Sequence, residues 1–214
     1  MLEFVPEWPV IATFTIACIV LYITPGPDMS LFLAKTISGG KRDGMAAFLG
    51  ASTGSLVHTF LAAVGISALL QVSATAFFVL KICGAVYLLW MAFDVIRSGS
   101  TFKVETSKVS GEPFWKVYLL GLGINLTNPK IVLFFVTFLP QFVVANDPAA
   151  SAKLLFFGLY FIAFTLPCGI ATIMVADRLV ALIRSKPRII RVIDWVFASV
   201  FCLFAIKILT AERN

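Results

Sequence analysis

Leu21-Tyr22-Ile23-Thr24-Pro25-Gly26-Pro27-Asp28 interrupts an apolar run that begins at Trp8 and resumes from Met29 to Ala34. A similar interruption recurs 104 positions after Pro25, where Gly123-Ile124-Asn125-Leu126-Thr127-Asn128-Pro129-Lys130 precedes the apolar run Ile131 to Pro140. Proline removes a backbone donor and clashes with the preceding helical turn. At membrane depth, the backbone groups freed in this way are tolerated only where protein or a water-filled cavity satisfies them. One proline would only kink a helix. Two breaks at matching places, each with a charge beside it, point to more. Interrupted helices in corresponding positions of two halves mark transporters built as inverted repeats, and the breaks point to the binding site.

The surrounding composition agrees. Of 214 residues, 60% are hydrophobic and 13% charged, against about 45–50% and 25% in soluble domains. A water-soluble exterior cannot be built from that, which excludes soluble, disordered, fibrous and disulfide-scaffold classes. The reading is an all-α membrane protein. The stretch Trp8–Pro27 carries no charge, and Gly44–Leu80 supplies 37 residues without Lys, Arg, Asp or Glu. That is enough for most of two spans of about 20 residues each. Gln71, Ser73 and Thr75 give the turn between them, and the third span runs to about Arg97. Further apolar regions run from Phe114 to about Val144, from Leu154 to Ala176 and from about Ile189 to Leu209. The sum is six transmembrane helices, a three-plus-three inverted repeat with the first and fourth helices broken at proline. Residues 1–97 form the first repeat, 98–113 a cytoplasmic linker, and 114–214 the second.

The net charge of +6 falls in the gaps between these runs, so it supports a topology rather than a nucleic-acid partner. Twelve Lys and Arg lie in the first, third and fifth gaps, three lie on the other side, and Lys81 and Lys130 sit inside spans. This bias places the odd loops in the cytoplasm and both termini in the periplasm. Glu3 and Glu7 precede the first span in place of a basic n-region, so that span should stay in the mature protein. Cys18, Cys83, Cys168 and Cys202 all fall in apolar runs with no CxxC spacing, and read as small buried hydrophobes.

Three segments carry a family resemblance. Thr24-Pro25-Gly26-Pro27-Asp28, Gly84-Ala85-Val86-Tyr87-Leu88-Leu89-Trp90 and Asn125-Leu126-Thr127-Asn128-Pro129-Lys130 resemble the signature segments of the LysE/RhtB amino-acid exporters, of the homoserine, threonine and leucine efflux type. The resemblance covers essentially the whole chain. It implies a bacterial inner-membrane protein that expels small amino acids, driven by the proton gradient.

The residues beside the breaks suit that chemistry. Asp28, a carboxylate in apolar surroundings, is a candidate to exchange a proton or meet a substrate ammonium; it also reads as the N-cap of a half-helix starting at Met29. Lys130 has 13 uncharged residues before it and 16 after. It therefore needs a partner, either Asp28 or a substrate carboxylate. Asn128 before Pro129 reads as N-cap and first helical residue. Thr24, Gly26 and Asn125 complete the candidate substrate and proton site, and Pro25, Pro27 and Pro129 are the helix breaks. Lys81 reads as an interfacial residue and His58 as a hydrogen-bonded packing residue, both with a lesser claim on the site. Asp94 and Asp194 read as interfacial partners of Arg97 and Arg191.

Gly50-Ala51-Ser52-Thr53-Gly54 matches a hydrolase elbow in spelling, but that elbow needs a strand–turn–helix setting. Inside a span, Gly50 and Gly54 read as a packing face. The chain is read as a transporter, not an enzyme, with no cofactor and no metal. Its partners are an amino acid, protons and the bilayer, with a homodimer compatible with its size. A passive pore for small solutes is the rival reading, and an intramembrane serine protease a distant third.

Overall fold

A computed structural model describes residues 5–99, 112–144 and 147–210. Those residues are helical, with no strand among them. Helix α1 (Trp8–Ile23) ends at Thr24, and α2 (Pro27–Gly39) restarts at an angle of 51°. Helix α3 (Lys41–Leu61) continues through a π turn, Ala62–Ile66, into α4 (Ser67–Val72). Helix α5 (Ala74–Ser98) follows Ser73, whose side chain caps it by accepting from Ala76 N at 3.1 Å. Most of the linker read at 98–113 lies outside the described residues. Helix α6 (Phe114–Thr127) breaks at Asn128. Helix α7 (Pro129–Leu133) runs on through wider and tighter turns to Phe142, bent by 52° from α6. Helices α8 (Ala150–Met174), α9 (Ala176–Ser185) and α10 (Pro187–Thr210) complete the chain.

Lys41–Leu69, Phe78–Ser98, Ala150–Met174 and Arg188–Ile206 are long and apolar enough to cross a membrane, and there are six such spans when each bent pair is taken as one. The chain is an all-α, multi-pass membrane protein. Its outer surface agrees: Trp8, Phe60, Phe93, Trp115 and Leu203 are exposed. Cys83, expected to be buried, is also exposed. It lies on α5, whose apolar face turns outward at Val79, Val86 and Trp90.

In lipid, burying apolar surface gives helices little reason to associate, so close packing and polar contacts must do it. Helices α3 and α6 meet through glycine. A Cβ on Gly50 would strike the Tyr118 carbonyl, and one on Gly121 would strike that of Ala47. Polar side chains add ties between helices: Tyr118 donates to Thr53 at 2.7 Å, and Tyr22 and Thr172 share a hydrogen bond at 2.7 Å. A cluster of phenylalanines fills the interior. The Phe14 and Phe157 rings lie 4.7 Å apart, and those of Phe197 and Phe201 4.4 Å.

The segment after α8, read as a basic loop, is instead the amphipathic helix α9. Ala176 and Val180 are buried against α2 and α3, with Leu179 packed beside them, while Asp177 and Arg178 point outward. Asp194, read as interfacial, is 1% exposed, and Asp94 takes a hydrogen bond from Ser98 at 3.4 Å.

Lys35 on α2 donates to Glu112 at 2.9 Å, tying the first broken helix to the start of α6. This bond holds the Glu112 carboxyl below its ordinary value of 4.5, with Lys116 adding a weaker attraction. A depressed acid stabilises the fold above its unfolded value and loses that effect as pH falls through its folded value. Glu112→Gln should therefore lower Tm slightly at neutral pH, and the difference should vanish below the carboxylate range. Thermal denaturation in detergent across pH checks this; an equal deficit at every pH would contradict it.

Candidate functional site

The two breaks meet. An open cavity lies between the C-terminal end of α1, the start of α2 and the junction of α6 with α7. Thr24, Gly26, Asp28, Asn125, Asn128 and Lys130 all line it. His58 lies beyond Asn125, its ring stacked on Phe135 with centroids 5.6 Å apart. The side chain of Lys81 lies outside the described residues.

Each break follows from local chemistry. Pro27 and Pro129 occupy the first position of their helices, where a missing N–H costs nothing and the fixed φ suits the helix. Asn128 caps α7 as expected, its Oδ1 accepting from Lys130 N at 3.1 Å. Asp28 does not cap α2. That helix begins at Pro27 with Gly26 as the flanking residue, which places Asp28 in the first turn. A carboxylate there still favours the positive end of the helix, but its side chain is turned to another use.

Asn125 Nδ2 donates to Asp28 Oδ2 at 2.7 Å, a direct hydrogen bond between the two halves. Asp28 Oδ1 is buried with no hydrogen-bond partner. The carboxylate is thus held by Asn125 through one oxygen, with the Asn128 side chain and the Lys130 charge also acting on it. Asn125 is 2% exposed. Its backbone carbonyl lies 3.4 Å from His58 Nε2, and its amide fits against Gly54, where a Cβ would collide with Asn125 Oδ1 and come within 2.9 Å of its Cβ and Cγ. Gly54→Ala should therefore push Asn125 off Asp28 and reduce transport by between about ten- and a hundredfold, the scale of loss for a misplaced group. Gly65→Ala, where the added Cβ meets open space, should leave transport unchanged. Equal rates in the two variants would contradict this positioning role.

Lys130 was read as a partner for Asp28 or a substrate. The structure gives it other acceptors: Nζ donates to the carbonyls of Leu21 and Thr24, each at 2.6 Å, and makes no ion pair with Asp28 among the described residues. The Phe197 ring lies 5.7 Å from the same nitrogen. The last carbonyls of a helix have no partner within it, and the mid-span break leaves that of Leu21, and that of Thr24 just past α1, to Lys130. Thr24 Oγ1 bonds back to the Val20 carbonyl at 2.7 Å.

Ser52 bonds to the Phe48 carbonyl at 2.9 Å and lines the cavity with Ser55, Phe32, Phe48, Phe161 and Ile131. These wall residues were missed from sequence. Phe48, Ser52 and Ser55 recur at helical spacing beside the glycines already singled out, a pattern that could have found them.

The pattern of matches with known proteins fits this architecture. The family model LysE, LysE type translocator, matches residues 19–212. The chain belongs to the LysE type translocator family. It is a translocator rather than an enzyme. A leucine efflux protein of Klebsiella pneumoniae subsp. pneumoniae is 27% identical over 203 residues, covering 94% of both chains. Leucine efflux proteins of Salmonella choleraesuis and Salmonella typhi are each 26% identical over 205 residues, again covering 94% of both chains. No solved structure matches this LysE type translocator.

Proposed function

We propose that this LysE type translocator exports a small apolar amino acid across the bacterial inner membrane in exchange for protons. The observation that carries the reading is the Asp28 carboxylate, fixed by Asn125 through one oxygen and facing Asn128 and Lys130 in a cavity between two broken helices. A substrate ammonium is a natural partner for that carboxylate, because an ionised acid at membrane depth calls for a compensating charge or a proton. The substrate carboxylate goes toward Lys130 and the first turn of α2, where N–H groups and the helix dipole favour an anion. The side chain lies against Phe32, Phe48, Phe161 and Ile131. Such a wall suits an aliphatic side chain, and the likeness to leucine efflux proteins makes leucine the first candidate.

Proton and ammonium then compete for one carboxylate. With Asp28 ionised, substrate binds from the cytoplasm; release outside leaves the carboxylate to take up a proton, which is delivered inside on return. Alternation of access is assigned to two three-helix repeats of opposite orientation, 1–97 and 114–214, joined by the linker 98–113, with both termini in the periplasm. The positive-inside distribution supports that orientation, and a C-terminal reporter active only in the cytoplasm should stay dark.

Counterflow in proteoliposomes tests the substrate assignment. Leucine inside should drive uptake of labelled leucine, and 2-hydroxy-4-methylpentanoate, which lacks the ammonium, should not compete. Equal competition by the hydroxy acid would remove Asp28 from substrate binding. Flux of unrelated small solutes at the same rate would favour a passive pore.

A further inference from the structure

The amine of Lys130 sits where transporters with interrupted helices coordinate a free cation. In such proteins, unwound carbonyls and half-helix C-terminal ends bind the coupling ion. Here the C-terminal end of α1 offers the carbonyls of Leu21 and Thr24, both 2.6 Å from Lys130 Nζ, and α10 offers the face of Phe197 at 5.7 Å. Two carbonyl oxygens and an aromatic face are chemistry for a monovalent cation. The chain supplies that cation itself, from α7 in the other half. Gly26 lies beside the amine: a Cβ there would sit 3.6 Å from Lys130 Cδ and 3.8 Å from Nζ, in ordinary contact.

We propose that Lys130 is a tethered cation filling a monovalent-cation site at the break of α1, so that the protein needs no sodium or potassium ion there. Removal of the amine opens the site to small free cations, alkylammonium ions above all. The proposal rests on the exporter reading only for its transport arm.

Lys130→Ala removes three methylenes and the ammonium, the atoms that propylammonium restores. In purified, detergent-solubilised protein, the variant should melt lower than wild type. Propylammonium should raise its Tm by several degrees, while choline, too large for the site, should not, and wild type should respond to neither. Equal effects of propylammonium and choline, or an equal response of wild type, would overturn the proposal. This arm requires no transport, so it stands apart from any failure of the exporter reading.

Should Lys130→Ala yield no folded protein, wild type carries the test. Leucine counterflow in proteoliposomes should be unchanged when sodium is replaced by N-methylglucamine, and radiolabelled sodium should not bind in stoichiometric amount. Sodium-dependent flux or stoichiometric sodium binding would overturn the tethered-cation assignment.

Discussion

Asp28→Asn is expected to insert and fold as wild type while losing amino-acid export driven by a proton gradient. Asparagine keeps the shape of the side chain and still offers an oxygen to Asn125 Nδ2, so the 2.7 Å link between the halves survives. It cannot take up or release a proton, and it presents no negative charge to a substrate ammonium. Loss of a group that transfers protons typically costs about 10²- to 10⁴-fold, and pH-driven flux should fall by about a hundredfold or more. Flux must be compared at matched protein levels in proteoliposomes with an imposed pH gradient. A well-folded Asp28→Asn protein with wild-type proton-driven flux would leave Asp28 a structural residue in the first turn of α2.

Lys130→Met should cost both stability and transport. The substitution keeps much of the stem and removes the donor to the Leu21 and Thr24 carbonyls. A buried acceptor left without its partner costs about 1–3 kcal/mol, and two are left here, at the junction that holds the broken ends together. A fall of several degrees in Tm and loss of substrate counterflow are expected together. Wild-type melting and counterflow in this variant would mean that the carbonyls of α1 do not depend on Lys130.

These predictions rest on features that were partly legible in the chain. The breaks were, because proline with Asn or Thr beside it leaves few helical alternatives, and bends of 51° and 52° occur there. The capping role of Asn128 was equally plain. Asp28 reads as a cap only if the helix starts after both prolines, at Met29, but the second proline is itself the first helical residue. With extended backbone at Gly26 the helix begins at Pro27, two positions before Met29, which puts Asp28 in the first turn. The partners of Lys130 were hidden for a different reason: they are backbone carbonyls, which no residue type records. Helix α9 carries Arg178 and Arg184, whose charge resembles that of a cytoplasmic loop and masks its apolar face. Ala176, Leu179, Val180 and Ile183 recur at helical intervals, and the first three pack inward. The fit of Asn125 against Gly54 belongs to tertiary packing alone, although Gly54 stood in a segment already marked as a packing face.

Uptake into inverted membrane vesicles tests the central claim most directly. Vesicles carrying the protein, loaded at acidic pH and diluted into alkaline buffer, should accumulate labelled leucine against its gradient. That accumulation should collapse when a protonophore dissipates the pH difference and be absent from Asp28→Asn vesicles. Leucine uptake that only equilibrates, with the same rate whether or not the pH gradient is present, would contradict proton-coupled export by this site.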